Sequence, residues 1–200
     1  NLSGANLQQV WLRRANLMRP TLSQANLSAI AAIGANFSSA QAIGSNFQAA
    51  DLEQASFTGA NLKTSDLTRA RLREATFTRA DVSGSVLVRA DLQRSNWQEA
   101  EVSSADFRRA DLRQANFSGA NLSGANLNGA DLRQANFSGA NLAGVDWRRS
   151  RLAGANFQGT RLLADPNQDQ LVVAAATVAD FFKGVDFSRV QGLDQTQLAT

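Results

Sequence analysis

The chain keeps a five-residue beat over most of its length, and that beat decides what it can fold into. From Leu2 to Leu162 in steps of five, 31 of 33 positions are large and apolar (19 Leu, 8 Phe, 2 Val and 2 Trp), the exceptions being Ala32 and Ala42. Two residues before each large residue the side chain is small, usually Ala, and between the two stands a polar residue such as Asn116, Asp131 or Asn141. A strand places residues i and i+2 on one face, so the small and large side chains point inward and the polar one points out. The two residues left over must turn the chain. All twelve glycines before residue 163 occupy the second of them, where a type II turn requires a positive φ. A helix would need apolar spacing near 3.6 and would not tolerate so much glycine. Each pentad therefore reads as one short strand and one corner, with positions called here small, polar, large, first corner and second corner.

The aromatic residues count the corners in one coil. If four corners close it, residues twenty apart stack, and the large positions fall into four columns headed by Leu2, Leu7, Leu12 and Leu17. All ten aromatics at large positions then lie in two opposite columns, seven in the Leu17 column (Phe37, Phe57, Phe77, Trp97, Phe117, Phe137, Phe157) and three in the Leu7 column (Phe47, Phe107, Trp147). A three-sided coil would scatter them. The prediction is an all-β solenoid, a quadrilateral parallel β-helix of about eight coils, roughly 40 Å long at a strand spacing of ~4.8 Å. Between Ile30 and Ile43 bulk leaves the usual positions, with Ala32 and Ala42 at large sites, which predicts a bulge or local repacking. Packing of such repeats is favourable only through neighbouring coils, so the interior must be filled and offers no ordinary small-molecule pocket.

The motif A(D/N)LXX, present as "ADLRQ", "ANFSG" and "ANLSG", resembles the pentapeptide-repeat family across about 160 of the 200 residues. The resemblance implies a right-handed quadrilateral β-helix, common in cyanobacteria and usually non-enzymatic. It also implies a known mechanism, mimicry of duplex DNA to occupy a type II topoisomerase such as gyrase, which demands a strongly negative rod. This chain carries a formal charge of +3, which disfavours that mechanism.

After Leu162 the pentads stop, and the expected division is a β-helix over 1–163, a helical cap or insertion over 164–184, and one resumed repeat with the start of a further segment over 185–200. Asp165, Pro166 and Gln168 read as a helix start and Gly184 as its end. The apolar stripe that includes Leu171, Val172, Val178 and Phe182 would cover the last coil or make a homodimer or interdomain contact. Its apolar run is too short to span a bilayer. Opening on Asn1 rather than Met reads as a piece of a larger protein, with any membrane anchor outside it.

The absence of Cys, His and Tyr excludes disulfides, His/Cys metal sites and the common nucleophile systems, so neither enzyme activity nor a cofactor is expected. With inward positions committed to packing, function must be written on the outward columns. The Leu7 and Leu12 faces carry fourteen cations and nine acids before residue 162, against four and three on the other two faces. Arg69, Arg89, Arg108, Arg109, Arg148 and Arg149 lie on the first, Arg113 and Arg133 on the second. These eight form a candidate docking face for a protein partner or anionic surface. The same residues also fit a solvated ion-pair lattice on a structural spacer, with Arg73, Arg113 and Arg133 compensating the column Asp91, Asp111 and Asp131. A calcium ladder on those aspartates is opposed by the neighbouring arginines. Nucleic acid is a poor fit, because aspartate alternates with arginine and no aromatic interleaves them. Trp11, Ile33 and Ile43 are apolar at outward positions near the start and predict a covering chain or partner there.

Overall fold

The structure, a computed structural model, describes residues 1–161. Every polar position from Asn6 onward makes a parallel bridge to the residue twenty places along, from Asn6 with Asn26 to Asn141 with Arg161. A five-residue repeat with a twenty-residue bridge is a four-sided coil, the quadrilateral solenoid expected from the aromatic columns. The register runs unbroken through 30–43, with Ala31 bridging Asp51 and Gln41 bridging Asn61, so of the two expectations there, bulge or local repacking, the structure shows the repacking. Bulk is exchanged within the pentad. Ile30 occupies the small position and is buried beside Ala32, restoring volume that Ala32 leaves at the large site. The helix expected over 164–184, with Leu171, Val172, Val178 and Phe182, and the resumed repeat over 185–200 lie outside the described residues.

One pentad shows why the motif takes this shape. The N–H of Phe117 donates to Asn136 O of the following coil at 2.7 Å, and Gly119 N–H to Ser138 O at 2.9 Å. Asn116 N–H donates back to Ser95 O of the preceding coil, and Ala120 N–H closes the corner on Phe117 O at 3.0 Å. The fifth donor, the first-corner N–H of Ser118, goes to the Asn116 side-chain Oδ1 at 3.1 Å. All five backbone donors are thereby satisfied, as burial of a backbone requires. The same side-chain bond recurs along the rod, from Ser3 on Asn1 to Gln158 on Asn156. This Asx geometry is the physical reason the polar position is Asn or Asp rather than any hydrophilic residue. Pro20 stands at a small position without an N–H, so the Leu17 corner lacks the closing bond found at its neighbours.

Second-corner residues have positive φ throughout, at non-glycine residues as well as at glycines. Arg69, Arg89 and Arg109 each hold φ of 58°, Thr64 54° and Ala49 54°, beside 67° at Gly139. The left-handed conformation is imposed by coil stacking. The N–H of Arg69 donates to Val88 O at 3.0 Å, the bond Gly119 makes in its own coil.

The interior is solid. Phe37, Phe57, Phe77, Trp97, Phe117, Phe137 and Phe157 stack face to face at 4.0–5.6 Å between ring centroids. Phe47, Phe107 and Trp147 reach across from the opposite face and meet them edge-on at 5.6–6.1 Å. At Ser45, Ser65, Ser85 and Ser95 serine replaces alanine at a small position, and its buried hydroxyl donates to a main-chain carbonyl. Ser95 Oγ donates to Leu92 O and accepts the buried indole N–H of Trp97 at 2.7 Å. At the start of the rod Trp11 is 80% exposed and Ile43 and Met18 are exposed as well, so none of these three is covered by the described chain.

Candidate functional site

Coil geometry decides which outward side chains can meet. A first-corner residue sits beside the polar residue of its own pentad, two positions back, and beside that of the next coil, eighteen positions on. Arg113 and Asp111 illustrate the first relation, Arg73 with Asp91 and Lys63 with Asp81 the second. A second-corner side chain leaves the rod at its edge, and its ion-pair and hydrogen-bond partners across coils lie in its own column, twenty residues away. Arg79 meets Glu99 at 2.7 Å, and the Leu12-face column runs Gln54 to Glu74, Glu74 to Arg94, Arg94 to Gln114 and Gln114 to Gln134 as one chain of contacts.

These two relations divide the eight arginines of the predicted docking face. Arg108, Arg113, Arg133 and Arg148 are first-corner residues two positions after an aspartate. Each lays Nε and one terminal nitrogen on the two carboxylate oxygens of its own pentad. Arg133 meets Asp131 at 2.8 and 2.6 Å, and Arg113 meets Asp111 at the same distances. Arg108 meets Asp106, and Arg148 meets Asp146, at 2.9 and 2.7 Å. The same aspartate Oδ1 also accepts the arginine's backbone N–H, as in Arg148 on Asp146 at 3.0 Å. Hydrogen bonding from Arg148 draws the Asp146 carboxyl below the usual range against the opposing effect of burial. At Asp131 burial pushes upward, and the hydrogen bonds from the Arg133 side chain and N–H outweigh it, so that carboxyl also falls. The column Asp91, Asp111 and Asp131 is thus neutralised rung by rung by Arg73, Arg113 and Arg133.

Arg69, Arg89, Arg109 and Arg149 are second-corner residues of the Leu7 face. Their column reads Gln9, Ala29, Ala49, Arg69, Arg89, Arg109, Gly129, Arg149 and contains no acid. Among the described residues none of these four guanidiniums has an ion-pair or hydrogen-bond partner, although Asp66 and Asp106 lie on the same face. Asp66 is occupied by Gln48 and Thr68, and Asp106 by Arg108. The first three are consecutive rungs, separated along the backbone by the ~4.8 Å spacing of adjacent strands. They form one wall of a shallow groove of about 570 Å³ whose other wall is the first-corner column with Thr68, Val88 and Asn128.

Grouping arginines by face places all eight on one surface; grouping them by corner position separates the paired four from the free four. The signal for the free ladder is in the sequence, as arginine at second-corner positions 69, 89 and 109 with no acid twenty residues to either side. Among the described residues no group of His, Cys, Asp or Glu is placed to hold a metal ion. No helix of the described residues is long and apolar enough to cross a membrane.

A family model for pentapeptide repeats matches the chain in 8 copies, over residues 1–38, 21–59, 55–94, 85–129, 100–139 and 130–162. Among solved structures the rod is similar to HetL, a pentapeptide repeat protein involved in heterocyst differentiation regulation from the cyanobacterium Nostoc sp. strain PCC 7120. That likeness has 27% identity and a TM-score of 0.65, covering 76% of this chain and 74% of HetL. It is also similar to trypsin-treated QnrB1, a plasmid-mediated fluoroquinolone resistance protein, at 21% identity and a TM-score of 0.52, covering 90% of this chain and 92% of that one. No curated protein matches the chain.

Proposed function

The chain belongs to the pentapeptide-repeat family, whose members form right-handed quadrilateral β-helices, and from that premise we propose that it is a non-catalytic scaffold and interaction module of about eight coils that docks an anionic partner on its Leu7 corner. The observation that carries this reading is the separation of the arginines. Wherever an acid lies within geometric reach, arginine is paired, and the lattice keeps the rod soluble. On one corner alone, three consecutive rungs and a fourth beyond Gly129 present guanidiniums with no counter-ion among the described residues. Like charges stacked at ~4.8 Å repel by somewhat under ~1 kcal/mol per pair even at the dielectric of water. Arginine offers a planar fork suited to carboxylate or phosphate, so a bound anion relieves that repulsion.

A pure spacer would need only the neutralised lattice of Arg108, Arg113, Arg133 and Arg148. Topoisomerase protection by DNA mimicry would need a negative rod, whereas residues 1–161 carry eighteen cations and twelve acids. The test is partner capture by the wild type and by the variant Arg69→Gly, Arg89→Gly, Arg109→Gly, Arg149→Gly. Glycine already stands in this column at Gly129 and suits the positive φ, so the variant retains the fold. Capture should be lost in the variant and retained when the paired Arg113 and Arg133 are changed to Ser. Equal capture by wild type and the glycine variant would remove the docking corner and leave the spacer.

A further inference from the structure

We infer that the groove beside Arg69, Arg89 and Arg109 takes an extended acidic segment of a partner protein lying parallel to the rod axis, with carboxylates three residues apart on Arg69 and Arg109. This rests on the docking reading above and names the chemistry of the partner.

Three features of the groove point to a peptide. The first is spacing. Arg69 and Arg109 are two coils apart, about 9.6 Å along the axis at ~4.8 Å per coil. A polyproline-type chain rises about 3.1 Å per residue with three residues per turn, so acidic side chains at i and i+3 share one face and are separated by nearly the same distance. Arg89, midway, is left for a carboxylate or main-chain carbonyl between them.

The second feature is the opposite wall. Thr68 and Asn128 supply hydroxyl and amide groups, and between them lie Arg108, its guanidinium held on Asp106, and Val88, which supplies a half-buried apolar surface. Val88 follows Val86 at a polar position, where no side-chain oxygen is available to take the first-corner N–H. Val88 N–H accordingly has no hydrogen-bond acceptor among the described residues, unlike Arg108 N–H, which donates to Asp106 at 3.0 Å. A carbonyl of a bound peptide can accept it while an apolar side chain covers Val86 and Val88. Main-chain pairing with side-chain selection is the ordinary way an extended peptide is recognised.

The third feature is the surrounding charge. Asp66 and Asp106 flank the groove on the same face. Asp106 is neutralised by Arg108, but Asp66 has no cation partner among the described residues, and a continuous polyanion or an anionic bilayer would bring negative charge against it. A peptide can place its acids on the ladder and neutral residues opposite the aspartates. No aromatic side chain is present on this corner to stack a base, which sets single-stranded nucleic acid aside.

A fluorescein-labelled nine-residue peptide with Glu at positions 1, 4 and 7 and Ala or Val elsewhere tests the inference by fluorescence anisotropy. It should bind the full chain, weaken with added salt, and weaken at least tenfold in the variant Arg69→Gly, Arg89→Gly, Arg109→Gly. Val88→Asp should also weaken it, and the matching Gln peptide should not bind. The paired-site variant Arg133→Ser should bind as the wild type does. Absence of peptide binding, or binding unchanged in the triple glycine variant, would overturn the inference. Inorganic polyphosphate or phosphatidylserine vesicles, bound in place of the peptide and lost in the same variant, would overturn the peptide and leave the anion-docking corner standing. The capture experiment decides that broader reading separately.

Discussion

Exchanging alanine and glycine at two second corners should change stability with the opposite sign to that seen at ordinary exposed sites. Ala49 has φ of 54° and Gly139 has φ of 67°, and both are exposed. A Cβ built on Gly139 would meet only the Gly119 nitrogen, at 4.0 Å, so Gly139→Ala introduces no clash and its cost is conformational. The left-handed region disfavours an L-residue by about 1–2 kcal/mol. Stiffening of the unfolded chain by Ala returns about 0.4–1 kcal/mol. The net expectation is a loss of about 1 kcal/mol for Gly139→Ala and a gain of similar size for Ala49→Gly. For a chain of this length 1 kcal/mol corresponds to about 2–4 °C in Tm. Thermal melts followed by circular dichroism should therefore show Gly139→Ala lowered and Ala49→Gly raised by that amount. If Ala49→Gly instead melts lower, as glycine does at an ordinary site, the left-handed corner and the stacking said to impose it are wrong.

Phe117→Ala empties a site between Trp97 and Phe137 that the hydrogen-bonded walls prevent from collapsing, so urea denaturation should report a loss of about 3–5 kcal/mol; a loss below 1 kcal/mol would mean the interior is not close-packed. Ser95→Ala leaves the buried Trp97 indole N–H without its acceptor and should cost about 1–3 kcal/mol, whereas adding Trp97→Phe should recover part of that loss in a double-mutant cycle. Additive effects would show the pair is not coupled. Asp131 and Asp146 are held below the usual carboxylate range by their arginines, so their contribution is present above about pH 4 and is lost as the pH falls through the depressed values. Tm measured from pH 6 to pH 2 should fall less steeply at the acid end in Asp131→Asn, Asp146→Asn than in the wild type; identical slopes would show that these ion pairs make no difference between folded and unfolded states.

Most of the architecture was legible because it is periodic. Alternation within a pentad names the inward residues without any knowledge of the fold, and the segregation of Phe37 to Phe157 into one column counts four sides. At Ile30 and Ala32 the sequence leaves a bulge and local repacking both open, because volume can be exchanged between small and large positions without disturbing the backbone ladder, and composition cannot tell exchange from disruption; the unbroken bridges show repacking. The corner conformation was visible only where glycine marks it. At Arg69, Thr64 or Ala49 nothing local calls for a positive φ, since their own preference opposes it.

What the amino-acid order determines by itself is therefore the repeat, the filled interior and the excess of positive charge on two faces. Which arginines are free was decided only in three dimensions. Arg108 and Arg109 are adjacent in the chain and alike in chemistry, yet the first folds back onto Asp106 and the second stands in a column whose neighbours are Arg89 and Gly129. The reason is that a first-corner side chain can reach back to the polar residue of its own strand, while a second-corner side chain leaves at the edge of the rod and finds its ion-pair partners one full coil away. Stacking thus turns a twenty-residue separation into the distance that matters, and it leaves Arg69, Arg89 and Arg109 on an edge without a counter-charge among the described residues.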